Sequence, residues 1–380
     1  MGSVGRPQRS PLVSRASDMV RTEVTRLSPY NSGLTIAEVM QRYAPARIAK
    51  LGSNENPLGP SPTLATMVQA GAEMFRLYPD PAGRELRQAI AARYGFGEDQ
   101  IILGNGSEDL LSVISRAVLR PGDTVVTLYP SFPLHEDYAT LMGASVKRVT
   151  VNNDLTINVD PLIDAVRERP RMLLFSNPMN PVGSWLSAGD LSKVLDAAGD
   201  ETLIVVDEAY AEYAEGDDYA SSLHYLRKRD RPWIVLRTFS KAFGLAGLRI
   251  GFGIVGDPEL RALLDRVRTP FNANGMAQAA ALAALADEEH LARVVALAKA
   301  ERTRVESFLR NMGLDVAPSR GNFLFFNCRQ NASAFAEGLL REGVIVKPWK
   351  QQDFDSYVRV SIGSPAENDH FMAALSPLLL

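Results

Sequence analysis

Cysteine is nearly absent: Cys328 is the one example in 380 residues. An internal disulfide is therefore excluded, and no thiolate metal cluster can be assembled. Histidine is scarce too, with four residues and none at metal-ligand spacing. No apolar run approaches the roughly eighteen residues of a membrane span. The segment 1–16 is polar, proline-bearing and basic, without the apolar stretch of a signal peptide. Cytoplasm is the expected compartment. A net charge of −3 gives no reason to expect nucleic acid or an anionic membrane as partner. Gly104-Asn-Gly106-Ser107-Glu108 lacks the third glycine of a dinucleotide fingerprint, which argues against a Rossmann dehydrogenase.

The chain is too long for one compact core, so two domains are the natural expectation. With 46% hydrophobic and 22% charged residues, it has the composition of an ordinary globular protein. Residues 1–53 read as an N-terminal arm with a short amphipathic helix over 35–43. Residues 54–285 read as a large domain, because short buried strands alternate with helices there, the pattern of a mostly parallel sheet covered on both faces. Residues 286–380 read as a smaller α+β domain. A helix over about 288–311, free of proline and glycine, is expected to bridge the two. Strands are expected at 323–326, 344–346 and 357–362, and a helix near 332–342. The fold class is thus α/β, with a second, smaller α+β unit.

The chemistry centres on Lys241. The apolar strand from Trp233 ends at Ser240-Lys241, and a glycine-rich turn brings Arg249 back eight positions later. A lysine at a strand end beside apolar walls loses its proton more readily and can form a Schiff base with an aldehyde. Ser240 and Arg249 flank it as phosphate partners, a hydroxyl and a planar fork. An aldehyde carrying a phosphate is pyridoxal 5′-phosphate.

Other strand ends supply what such a cofactor needs. Asp207 follows the buried strand 202–206, where open α/β sheets place ligand-binding groups. A carboxylate against the ring nitrogen keeps the pyridinium protonated as an electron sink. Tyr210 is placed to reach the ring's phenolic oxygen. Asn180, held in the turn Asn177-Pro-Met-Asn180-Pro-Val-Gly183, is an amide donor suited to the same oxygen. Gly106, Ser107 and Glu108 open the helix expected at 109–119, whose free backbone N–H groups bind phosphate. Phe132, after the strand 124–128, offers a flat face for the pyridine ring.

These residues, in this order, resemble the fold-type I pyridoxal-phosphate aminotransferases, and within them the histidinol-phosphate aminotransferase family. The likeness runs from Ser28 onward. It is carried by Pro29-Tyr30, Ser53-Asn-Glu-Asn-Pro-Leu-Gly-Pro-Ser61, Tyr78-Pro-Asp, Gly104-Asn-Gly-Ser-Glu108, Asn180-Pro-Val-Gly, Val206-Asp-Glu-Ala-Tyr210 and Arg237-Thr-Phe-Ser-Lys-Ala-Phe-Gly-Leu-Ala-Gly-Leu-Arg249. The resemblance implies that Lys241 also moves the proton between substrate and cofactor carbons. It implies a homodimer in which Tyr78 reaches the neighbouring subunit's phosphate. Arg359 would clamp the substrate's anionic end, and Tyr30 would close over the substrate side chain. An amino donor and a 2-oxoacid would be the substrates, histidinol phosphate and 2-oxoglutarate first among them.

Two positions depart from the family pattern. Phe132 stands where a tyrosine is usual, and Lys347 where an arginine is common. Both changes make the anion site poorer in donors, which gives weight to an aromatic amino-acid aminotransferase on the same frame. A decarboxylase of amino-acid phosphates would carry a His-Gly-Gly stretch near its N-terminus, and none is present. The effector domain of a transcription regulator would need a helix-turn-helix, for which about 30 polar residues leave no room.

Overall fold

The computed structural model describes residues 16–31, 33–65, 76–214, 216 and 218–379. Its strands, in chain order, begin with Ala49–Lys50 (β1), Ile101–Gly104 (β2), Thr124–Tyr129 (β3) and Ser145–Thr150 (β4). Met172–Ser176 (β5), Leu203–Asp207 (β6), Trp233–Thr238 (β7) and Gly251–Val255 (β8) follow. The last are Phe323–Asn327 (β9), Val344–Ile345 (β10), Lys347–Pro348 (β11) and Tyr357–Ser361 (β12).

Seven of these form one sheet in the order β2-β8-β7-β6-β5-β3-β4. Only β8 runs against its neighbours, pairing antiparallel with both β2 and β7. The link from β7 to β8 has no crossover helix, so the chain turns straight back. The central strands β5, β6 and β7 are buried along their whole length, as apolar parallel strands covered on both faces must be. Gly251 is required where β8 meets the helix Ser107–Val118, since a Cβ there would lie 2.4 Å from Ser107 N.

A second sheet, β11-β12-β9, is antiparallel. The strand expected over 344–346 ends at Ile345, and a further strand in another sheet starts at Lys347. Val344 and Ile345 pair in parallel with Ala49 and Lys50, whereas Lys347 and Pro348 pair with Arg359 and Val358. Residues 49–50 are thereby tied to the C-terminal part of the chain.

Helix Glu288–Asn311 joins the two cores. Asp287 caps it by accepting from His290 N. Val294 and Ala298 pack with Tyr210, Tyr213 and Ala242, while Val305 and Leu309 pack under the smaller sheet with Phe326 and Phe335. Helix Ile36–Tyr43 is set by a capping box between Thr35 and Glu38. In the segment expected as an arm, two short helices occur, Ala16–Met19 and Thr22–Thr25; residues 1–15 lie outside the described ones. Among the described residues no helix is long and apolar enough to cross a membrane, and no group of His, Cys, Asp and Glu is placed to hold a metal ion.

Candidate active site

The carboxyl ends of parallel strands β3, β5, β6 and β7 open onto one cavity of about 340 Å³. Such ends are where open α/β sheets bind ligands. Phe132, Asn180, Asp207, Ser240 and Lys241 each stand within a few residues of one of these ends. Ser107 and Glu108 at a helix start, Tyr210, Arg249, Tyr30, Lys347 and Arg359 complete the wall. Gly106 lies just behind it, where a Cβ would come within 2.5 Å of Arg249 Nη2.

Lys241 Nζ donates to Ser53 O at 2.8 Å and stands 5.8 Å from the centre of the Tyr210 ring. Burial lowers its pKa to about 7, helped by the Arg359 and Arg249 guanidiniums and opposed by Glu55 and Asp207. The amine is therefore largely neutral and nucleophilic at mildly alkaline pH. At the other end of the cavity Arg249 Nη1 donates to Ser240 Oγ at 3.4 Å and to Ala246 O at 3.2 Å. Its Nη2 is 3.8 Å from Glu108 Oε2.

Asp207 is 6% exposed. Its Oδ1 accepts from Ala209 N at 3.1 Å and its Oδ2 lies 3.2 Å from His135 Nε2. Tyr210 OH accepts from Asn54 Nδ2 at 3.0 Å, and burial raises its pKa to about 12, so it stays protonated as a donor. Asn180 Oδ1 accepts from Arg359, which leaves the Asn180 amide N–H groups for another partner. Arg359 is buried, donates through Nη2 to Gly52 O at 2.8 Å, and has no partner for Nε among the described residues. Beside it, Lys347 donates to Asn31 O. Burial and the neighbouring Arg359 and Lys350 lower the Lys347 pKa to about 8.

Two sequence-predicted residues are not part of this wall, Gly106 just behind it and Tyr78 away from it. Tyr78 is 81% exposed and stacks on Phe271 at 4.5 Å between ring centres. Of two further contacts, His135 carried no signal in the sequence, and Asn54 lies in the stretch Ser53–Ser61 that carries the resemblance but was given no role there. His135 meets Asp207 across 72 residues, and Asn54 meets Tyr210 across 156.

The donor set fits pyridoxal 5′-phosphate. It provides an amine of lowered pKa, a buried carboxylate for a ring nitrogen, a tyrosine and an amide for a phenolic oxygen, and a helix start with serine and arginine for a phosphate. Arg359, with one N–H unpartnered and others to spare, adds an anion site.

Fold and cavity together define a transaminase. The family described as Aminotransferase class I and II matches residues 46–375. Histidinol-phosphate aminotransferase 1 of Mesorhizobium japonicum is 94% identical over 367 residues, covering 97% of this chain and 100% of that protein. Histidinol-phosphate aminotransferase 3 of Rhizobium meliloti is 59% identical, covering 94% and 96% respectively. The crystal structure of histidinol-phosphate aminotransferase from Sinorhizobium meliloti, in complex with pyridoxal 5′-phosphate, superposes with a TM-score of 0.84 at 30% identity, over 94% of this chain and 97% of that one. The chain belongs to the class I and II aminotransferases, in the histidinol-phosphate aminotransferase family.

Proposed function

We propose that this chain is a pyridoxal-phosphate-dependent aminotransferase that exchanges the amino group between histidinol phosphate and 2-oxoglutarate. The observation that carries the reading is the convergence of Lys241, Asp207, Arg249 and Arg359 on one cavity. The 94% identity to a histidinol-phosphate aminotransferase supports the choice of substrate. Pyridoxal 5′-phosphate, when bound, supplies an aldehyde for amines and a ring that takes up the electron pair left as a substrate C–H proton departs.

The chain's residues do the rest. Lys241 Nζ, neutral above its pKa of about 7, holds the cofactor at rest and carries the proton between carbons once freed. Asp207 keeps a proton on the ring nitrogen. Tyr210 OH and the Asn180 amide donate to the phenolic oxygen. Ser107, Ser240, Arg249 and the N–H groups at 107–108 bind the phosphate, with Gly106 giving room for Arg249. Phe132 covers the ring's face.

Arg359 grips the substrate's anion, the carboxylate of glutamate in one half-reaction and the phosphate of histidinol phosphate in the other. Lys347, its direct cross-strand neighbour, adds a second cation at that end. Tyr30, edge-on to Phe132 at 6.3 Å, closes over the substrate side chain. The working form is a cytoplasmic homodimer in which exposed Tyr78 reaches the partner's phosphate site.

The reading is tested by mixing holoenzyme separately with histidinol phosphate, phenylalanine and tyrosine and following the cofactor's visible absorbance. Histidinol phosphate should discharge it with the highest kcat/KM. Equal or faster discharge by phenylalanine would make the enzyme an aromatic aminotransferase.

A further inference from the structure

Among the described residues, three carboxylates line the cavity: Asp207, Glu108 and Glu55. Asp207 is bonded to Ala209 N and His135, and Glu108 lies 3.8 Å from Arg249 at the phosphate end. Glu55 serves neither end. It follows Ser53, whose carbonyl receives Lys241 Nζ at 2.8 Å, and its charge acts on that amine more strongly than the charge of Asp207 does. Asn54, between the two, turns its side chain to Tyr210 OH. Lys50 Nζ binds Glu55 Oε1 at 2.5 Å. Oε2 has no hydrogen-bond partner among the described residues, and the side chain is 38% exposed.

We infer that Glu55 is a specificity-determining residue whose free carboxylate oxygen accepts a hydrogen bond from the imidazole of histidinol phosphate. The inference rests on the function proposed above. On the reacting carbon the amine goes to the cofactor, the phosphate arm to Arg359 and the proton to Lys241. The imidazole arm is left for the remaining wall, where Glu55 is the acid without a task. An imidazole carries an N–H donor in either protonation state, and below about pH 6.5 it also gains a positive charge. A carboxylate suits both forms. A phenyl ring offers no donor and would cover Oε2 without replacing the water it displaces, which penalises phenylalanine. The side-chain carboxylate of glutamate gains nothing from Glu55, so the two natural donors should respond differently to its loss.

Glu55→Leu removes the acceptor and keeps a side chain of similar size. Holoenzyme and variant are mixed with histidinol phosphate, glutamate and phenylalanine in single turnovers. The decay of the visible absorbance gives a dissociation constant and a limiting rate for each donor. The variant should bind histidinol phosphate about ten- to a hundredfold more weakly, the scale of a lost hydrogen bond to a charged group. Its preference for histidinol phosphate over the other two donors should fall by the same factor. A loss shared by all three donors, with the preference unchanged, would mean that Glu55 acts only through Lys241, and overturns the inference. Should Glu55→Leu not fold, Glu55→Gln decides. Loss of the charge should still lower the preference by about threefold or more, and an unchanged preference overturns the inference. A wild-type enzyme that prefers phenylalanine overturns the proposed function and this inference with it. A wild-type preference for histidinol phosphate that Glu55→Leu leaves intact overturns this inference alone.

Discussion

Arg359 Nη1 donates to Asn180 Oδ1 at 2.7 Å, so the residue proposed to clamp the substrate anion is bonded to the one proposed to address the cofactor's phenolic oxygen. The two stand 179 positions apart in sequence, on β12 and after β5. The bond orients the Asn180 amide with its N–H groups free. It also holds the guanidinium plane before any substrate arrives, which reduces the ordering that binding requires.

Arg359→Lys should therefore weaken glutamate and the second substrate together, by about 1–3 kcal/mol for a lost charge-assisted contact. Single-turnover titration with each substrate separately measures this. Loss confined to one substrate would mean two anion sites, with Lys347 as the second.

The lowered Lys241 pKa sets a pH dependence. An ordinary lysine holds its proton up to about 10.5, whereas burial brings this one to about 7. As pH rises through 7 the amine loses its proton and becomes able to attack an aldehyde. The rate at which apoenzyme recaptures pyridoxal 5′-phosphate should rise between about pH 6 and 8 and then level off, allowing roughly one unit either side of that midpoint. A rate still climbing tenfold per unit at pH 9 would show an unperturbed lysine.

Asp207→Asn keeps the volume of the side chain but cannot hold the ring nitrogen protonated, so most of the rate should go while the fold remains. Turnover like wild type, with the melting temperature unchanged, would make Asp207 a structural cap at the end of β6.

Beneath the cavity, Arg237 Nη2 meets Glu208 Oε2 at 2.6 Å and Nη1 meets Glu212 Oε1 at 3.0 Å, all three side chains buried. Removing the cation strands two carboxylates away from water. Arg237→Met should cost about 3–5 kcal/mol in urea denaturation of the holoenzyme. A change within the scatter of surface substitutions would mean that water reaches these carboxylates.

Much of this was legible in the sequence because the signals are local. Strands β5, β6 and β7 are short apolar runs ending in Ser176, Asp207 and Thr238, and each is followed at once by the residues that face the cavity. The helix 288–311 was legible from its long run free of proline and glycine. The contacts between distant segments were not legible. Ser53 O receives Lys241 Nζ across 188 residues, and His135, after β3, reaches Asp207 at the end of β6 across the intervening strand β5. The run 344–347 carries no mark of the point where it leaves one sheet for another. The pairing partners decide it, Ala49 and Lys50 for β10, Arg359 and Val358 for β11.

The attachment of the cofactor to Lys241 underlies every other assignment. Holoenzyme is reduced with borohydride, digested, and the cofactor-bearing peptide sequenced by mass spectrometry. The label is expected on Lys241 alone, with Lys241→Ala giving no covalent label. A label on Lys347, Lys50 or any other lysine would contradict the site described above.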